Sequence, residues 1–249
     1  MRRFWVDPQE LQSPGTLVTL KDDEFHHLVH VSRLEEGERL ELLSGDGRIA
    51  TGILKKISKR SAEVEVQSIE QLPPPFEPRV TLVISVPRFQ KMDLILQKCV
   101  ELNAFRIVPV VSDRSFVKTL SADLKGKIPR WRKIVLEACK QSGRAWPMDL
   151  AEPETLDKYI GRMGHTQETG LFFYEGEGVL DVKTALQKIP SNANITCFVG
   201  AEGGFSTREV DLFRQSGFAP ITLGPLVLRV ETACITLLSV IQYQFGYMK

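Results

Sequence analysis

The rhythm of apolar positions changes near residue 70. Before it, short runs alternate apolar and polar residues or carry β-branched side chains: Arg3–Val6, Thr16–Leu20, Arg39–Leu43, Arg48–Ile57 and Ala62–Ile69. That pattern marks half-buried strands. Gly45-Asp46-Gly47 supplies a turn between two of them. One helix interrupts, from about Asp22 to Leu34, with Phe25, Leu28 and Val29 on one side. Strands plus a single helix predict a small β-barrel domain over residues 1–70. Residues 71–79 hold Pro73, Pro74, Pro75 and Pro78 and predict an extended linker that cannot join a sheet. From Val80 to the end, apolar runs alternate with helical stretches. Strands are expected at Val80–Val86, Phe105–Val111, Gly170–Phe173, Ile195–Val199 and Ala219–Leu223, and helices at Lys91–Leu102 and about Leu124–Gly143. This is the grammar of an α/β domain, a parallel sheet with helices on its faces, over residues 80–249.

Two of those strands run into glycine-marked loops. The first loop is Gly200-Ala201-Glu202-Gly203-Gly204-Phe205, and the second begins Leu223-Gly224-Pro225 and runs to Ala233. Ligands of open α/β sheets sit outside the carboxyl ends of strands, where such loops lie. Glycine also lets a backbone approach a ligand closely. Between the loops, Ser206-Thr207-Arg208-Glu209 fits a capping box, Val210 and Phe213 give the helix an apolar face, and Gly217 is placed to end it. A last helix, about Glu231–Phe245, is apolar over most of its circumference, which suits a buried core or a subunit interface.

Composition narrows the picture. A net charge of +1 means that any nucleic-acid binding comes from local patches. No apolar run approaches the roughly 20 residues of a membrane span. Met1-Arg2-Arg3 is followed by no apolar region of a signal peptide. Cys99, Cys139, Cys197 and Cys234 are scattered in apolar or helical contexts and read as reduced thiols of a cytoplasmic protein. His26 and His30 share a helical face but lack an evident third ligand, so no metal site is expected.

Gly200–Phe205, Leu223-Gly224 and Leu228-Arg229-Val230-Glu231-Thr232-Ala233 closely resemble the carboxyl-terminal motifs of the SPOUT methyltransferases. Within that superfamily they resemble the RsmE-type branch, which methylates N3 of a uridine in 16S ribosomal RNA near the decoding region. Ala201 stands where proline is usual and Leu226 where arginine is common. Arg2-Arg3-Phe4 and His26–Leu34 are similar to the PUA-like RNA-binding domain of the same branch, so the resemblance covers the whole chain. It implies a trefoil knot in the second domain, a homodimer through that domain, and S-adenosylmethionine (SAM) as methyl donor. The nearer alternatives are a SPOUT enzyme acting on tRNA or on a ribose 2′-hydroxyl. A non-catalytic RNA-binding protein of the same fold is the alternative from another class.

The expected cofactor residues are Phe173, Gly200, Glu202, Gly203, Gly204, Leu223, Gly224, Leu228, Thr232 and Ala233. Arg229 is placed to stabilise negative charge on the base, and Glu231 or Glu202 to accept its proton. Glu231 fits equally well as a helix cap or as an ion-pair partner of Arg229. For the RNA, Arg130, Lys133, Lys140 and Arg144 fall close to one face of the long helix, with Trp131, Val135, Ala138 and Ser142 on the opposite, buried side. That stripe reads either as a solvated face or as phosphate contacts. Asp113-Arg114-Ser115, Lys91, Gln97-Lys98 and Glu101-Leu102 also match family segments, and Arg114 joins Arg2 and Arg3 as an RNA-binding candidate.

Overall fold

The computed structural model describes residues 1–74, 77–163, 169–176 and 178–248, so Pro75 and Phe76 of the expected linker lie outside the described residues. The chain forms two compact units: residues 1–74 with 139–147, and residues 75–138 with 148–249.

The first unit is a five-stranded sheet in the order β1-β3-β4-β5-β2. The strands are β1 (Arg2–Trp5), β2 (Leu17–Lys21), β3 (Arg39–Leu43), β4 (Arg48–Ile57) and β5 (Ser61–Gln71). β1 pairs parallel to β3, and the other pairings are antiparallel. Register shifts at Thr51/Gly52 and Leu54/Lys56 break the β4–β5 ladder. Such irregularities bend a strand and increase its twist, which helps this sheet curl. Phe4, Leu20, Leu40, Leu42, Leu54 and Val64 fill its core. The helix expected at 22–34 has two parts, α1 (Asp22–His26) and a π-helical turn, His27–Ser32, ended by Arg33 in the left-handed region (φ 52°).

The second unit is built on a parallel sheet of eight described strands. They are β6 (Val80–Ser85), β7 (Arg106–Val111), β8 (Asp149–Leu150), β9 (Glu154–Thr155), β10 (Thr169–Phe173), β11 (Leu180–Asp181), β12 (Ile195–Val199) and β13 (Ala219–Thr222). The order is β11-β13-β10-β12-β6-β7-β8, with β9 also on β7. The helices of the unit are α2 (Phe89–Glu101), α3 (Ala122–Ser142, whose last turn groups with the first unit), α4 (Leu156–Met163), α5 (Val182–Gln187), α6 (Thr207–Gln215) and α7 (Val230–Gln244). Val83, Val108, Phe172 and Phe198 of the sheet pack with Leu156, Tyr159 and Ile160 of α4 and Val210 and Phe213 of α6. The Phe172 and Phe213 rings stack at 4.6 Å. Leu82, Ile84, Ile107 and Cys197, of opposite parity on the strands, are buried too. Both faces of the sheet are therefore covered, as parallel sheets require.

β8, β9, β11, α4 and α5 are absent from the sequence reading. Two-residue strands carry no periodicity. α4 does carry a signal, since its buried Leu156, Tyr159, Ile160 and Met163 recur at i, i+3, i+4 and i+7. Among the described residues no helix is long and apolar enough to cross a membrane.

Candidate active site

Strand order decides where the loops meet. β10 lies between β13 and β12, and β12 lies beside β6. The segments that follow the carboxyl ends of these four strands line one cavity of about 710 Å³. Gly200–Phe205, the first of the glycine-marked loops, is held at both ends. Gly204 N donates to Ala201 O (2.9 Å), and Phe205 is buried with its ring edge on Phe213 at 4.8 Å. A Cβ on Gly200 would meet the Gly204 backbone at 2.9 Å, so only glycine permits this fold-back. Gly204 takes φ 66° and Gly224 φ 132°, backbone conformations that glycine tolerates.

The cavity wall brings together Phe173, Gly200, Glu202, Gly204, Leu223, Gly224, Leu228, Arg229 and Ala233, all expected at the site. Three other expected residues are absent from the wall. Gly203 faces Arg114, which donates to its carbonyl at 2.8 Å. Thr232 is exposed on α7. Glu231 is connected to the wall through Lys91. Lys91 Nζ lies 3.1 Å from Glu202 Oε1 and 3.5 Å from Glu231 Oε2. Glu231 Oε2 is buried and makes no hydrogen bond among the described residues, so the lysine at the outer limit of contact is its counter-charge. Burial pushes the Glu202 carboxyl up, but its own backbone N–H, Lys91 and the Arg88 backbone outweigh that and hold it below the usual range. Arg229 is the N-cap of α7, exposed, and lines the cavity.

Lys91 lines the cavity without having been given a role from the sequence, where it counts only among family matches. Its position was legible: it lies in the first turn of the helix that follows a central parallel strand. A second cavity, about 310 Å³, shares Lys91 and Glu202 with the first and is lined also by Arg88, Arg114 and Phe116. The 112–118 loop that carries Arg114 and Phe116 is firmly anchored. The fully buried Glu209 accepts Ser206 N through one carboxylate oxygen and Asp113 N through the other, both at 2.8 Å. Arg208 bonds both Asp113 oxygens, and with Ser206 it holds that carboxyl below the usual range.

The basic stripe of the long helix is not one exposed face. Arg130 and Lys133 are exposed, and Arg130 pairs with Asp93. Lys140 is only 5% exposed and pairs with Glu24 at 2.9 Å, while Ser142, expected on the buried side, is exposed. The reason is local to the first unit, where the segment 139–147 packs against the sheet. Arg3 donates to Lys140 O and Gln141 O and pairs with Glu41, and Arg144 Nε donates to Trp146 O. Arg3, Lys140 and Arg144 are thus engaged in holding this segment, whereas Arg2 and Arg114 are exposed.

Among the described residues no group of three or more His, Cys, Asp or Glu side chains is arranged to hold a metal. The cavity suits SAM: glycine backbones for close approach to a sugar or amino acid, an apolar wall from Leu223, Leu228 and Ala233 for adenine, and carboxylates near the rim for a cationic group.

Fold and site together define an α/β protein with a ligand cavity at the carboxyl edge of a parallel sheet. The RNA methyltransferase domain family matches residues 74–242 and the RNA methyltransferase PUA domain matches residues 20–67. The chain belongs to this RNA methyltransferase family. It is 34% identical over 231 residues, 91% of this chain and 94% of the relative, to the ribosomal RNA small subunit methyltransferase E of Aquifex aeolicus. The Bacillus subtilis protein of the same name is 28% identical over 249 residues, 98% of this chain and 97% of its own. The crystal structure of the Neisseria gonorrhoeae ribosomal RNA small subunit methyltransferase E bound to SAM superposes with a TM-score of 0.85 at 30% identity, covering 97% of each chain. A Legionella pneumophila methyltransferase structure with bound SAM gives 0.87 at 29% identity, covering 97% of this chain and 96% of that one.

Proposed function

We infer that this protein is a SAM-dependent methyltransferase of small-subunit ribosomal RNA, and that the atom it methylates is N3 of one uridine in 16S RNA near the decoding region. The observation that carries this reading is one cavity at the carboxyl edge of a parallel sheet, walled by both glycine loops and edged by Arg229, Glu202 and Lys91. The names of the relatives support the ribosomal RNA substrate and SAM. The uridine N3 assignment rests on the wording of the Leu228–Ala233 motif.

When bound, the cofactor supplies an electrophilic methyl group on a sulfonium. The chain has to place an RNA nitrogen in line with that group and remove its proton. Positioning is the larger part of such catalysis. Uridine N3 loses its proton as the new bond to carbon forms, and negative charge spreads over the flanking carbonyl oxygens. Arg229, on the cavity wall, is the cation that offsets that charge. Glu202 is ionised at neutral pH and is one acceptor for the proton. Glu231, whose Oε2 has an unfilled hydrogen-bonding position, is the other. Gly203 contributes through Arg114. The protein acts as a homodimer through the second domain, in keeping with the exposed Tyr243 on the mostly apolar α7, and works in the cytoplasm, where its RNA is.

Mass spectrometry of small-subunit RNA from cells with and without the gene tests the reading. One methyluridine should be lost with the gene and restored by it. Unchanged RNA, or the loss of a ribose or tRNA methyl group instead, would refute it. Light scattering of the purified protein at micromolar concentration should return twice the chain mass.

A further inference from the structure

The second cavity has a composition the cofactor does not need. Arg88, Lys91, Arg114, Phe116 and Glu202 line it, and it adjoins the cofactor cavity through Lys91 and Glu202. Its volume, about 310 Å³, lies at the small end of ligand sites. Three of its five lining residues are cationic and one is aromatic. Phe116 is 53% exposed, too much for a core residue, yet it is not loosely held. Its backbone N–H donates to Val86 O at 2.8 Å. Its ring meets Phe89 edge-on at 5.7 Å, and Phe89 is backed in turn by Trp131 at 6.1 Å. The loop beneath is pinned by the buried Ser115, which bonds within the loop, and by Glu209 and Lys118, which both bond Asp113. An exposed aromatic ring on a rigid support beside arginines is the chemistry that receives an unstacked base: the ring stacks on it and the cations hold its phosphates.

We propose that this second cavity seats the RNA nucleotide to be methylated, with Phe116 stacking on its base and Arg88 and Arg114 holding the flanking phosphates. The proposal rests on the function inferred above and adds where the acceptor enters. The shared wall gives the geometry its logic. A base stacked on Phe116 would have its reactive edge toward Lys91 and Glu202, the two groups common to both cavities. Arg114 has a second duty, because its bond to Gly203 O links the nucleotide seat to the first glycine loop. Phosphate contacts place the strand without reading its sequence, whereas the stacked base alone reaches the chemistry.

The test uses the full-length protein, SAM, and small subunits from cells lacking the gene. Phe116→Ala should leave SAM affinity by calorimetry unchanged and lower kcat/KM for RNA by about tenfold or more, the loss expected from one stacking platform. Phe116→Trp should restore most of it. Arg88→Ala should raise KM for RNA and reduce the salt dependence of binding. A 4-thiouridine at the target position should crosslink to the wild-type 112–118 loop. If Phe116→Ala and Arg88→Ala both turn over RNA within twofold of wild type, or the crosslink falls elsewhere, the cavity is not the seat. If the wild type itself binds SAM but methylates no RNA, the inferred function is wrong and this seat falls with it.

Discussion

Lys91 reaches two carboxylates at once, and that arrangement sets the charge of the cavity edge. Its ammonium offsets Glu202 and Glu231, which would otherwise share one edge with no cation between them. Replacing it with an apolar residue of similar length should therefore raise the Glu202 pKa, because burial would lose one of its counterweights. Lys91→Met is expected to move the acid limb of the kcat/KM profile for methylation to higher pH. Lys91→Arg should retain most of the activity. A Lys91→Met profile superposable on the wild type would show that the lysine is only structural. The cysteines are the opposite case. Burial pushes the Cys234 thiol up to about 12, with Glu231 adding to the effect, and Cys197 is raised as well. Both should resist thiol reagents in the folded protein and react only on unfolding, as a dithionitrobenzoate assay would record.

A helix N-terminus and two loops behave as one element in the second unit. Ser206 and Glu209 close the capping box that begins α6, and the same Glu209 carboxylate reaches across to Asp113 N. One buried side chain therefore caps a helix and anchors the loop that carries Arg114 and Phe116. Glu209→Ala leaves two backbone N–H groups without their acceptor and is expected to cost about 2–3 kcal/mol of stability. It should also weaken RNA turnover more than SAM binding, a split that calorimetry and steady-state kinetics would resolve. Gly200→Ala acts on the neighbouring loop. Its Cβ would press on the Gly204 backbone, so the loop must open and SAM affinity should fall by at least tenfold. Much of this element was legible beforehand. The box, the Gly217 stop and the strand limits of Ile195–Val199 are short-range patterns, and they recur in the structure almost residue for residue.

The whole molecule should weaken in acid for a stated reason. Asp46 is held well below the usual carboxylate range by Arg48, against burial, with Ser44 helping. Asp113 is lowered by Arg208 and Ser206, and Glu202 is lowered as described. Each is a depressed carboxylate, so the unfolded chain binds more protons near pH 4 than the folded one. The stabilisation is fully present above the unfolded pKa values of about 4 and is lost as pH falls through the lower folded values. Melting temperature is thus expected to stay level from pH 7 to 5 and to drop steadily below pH 4. A melting temperature that held to pH 3 would contradict these assignments. Calorimetry that showed two separate transitions would match the two compact units.

The sequence by itself determined what depends on neighbours two to four residues apart: strands of period two before residue 70, strand–helix alternation after residue 80, a capping box, and glycine loops at strand ends. It carried the class of site as well, because ligands gather at the carboxyl ends of parallel strands wherever such loops occur. Only the tertiary structure decided which loops meet, since strand order in the sheet is not chain order and β10 falls between β13 and β12. It alone placed Lys91 between Glu202 and Glu231, set a second basic cavity beside the first, and buried Lys140 against Glu24. Helical spacing assigns a residue to a face of its own helix, but whether that face meets water depends on distant segments that pack against it.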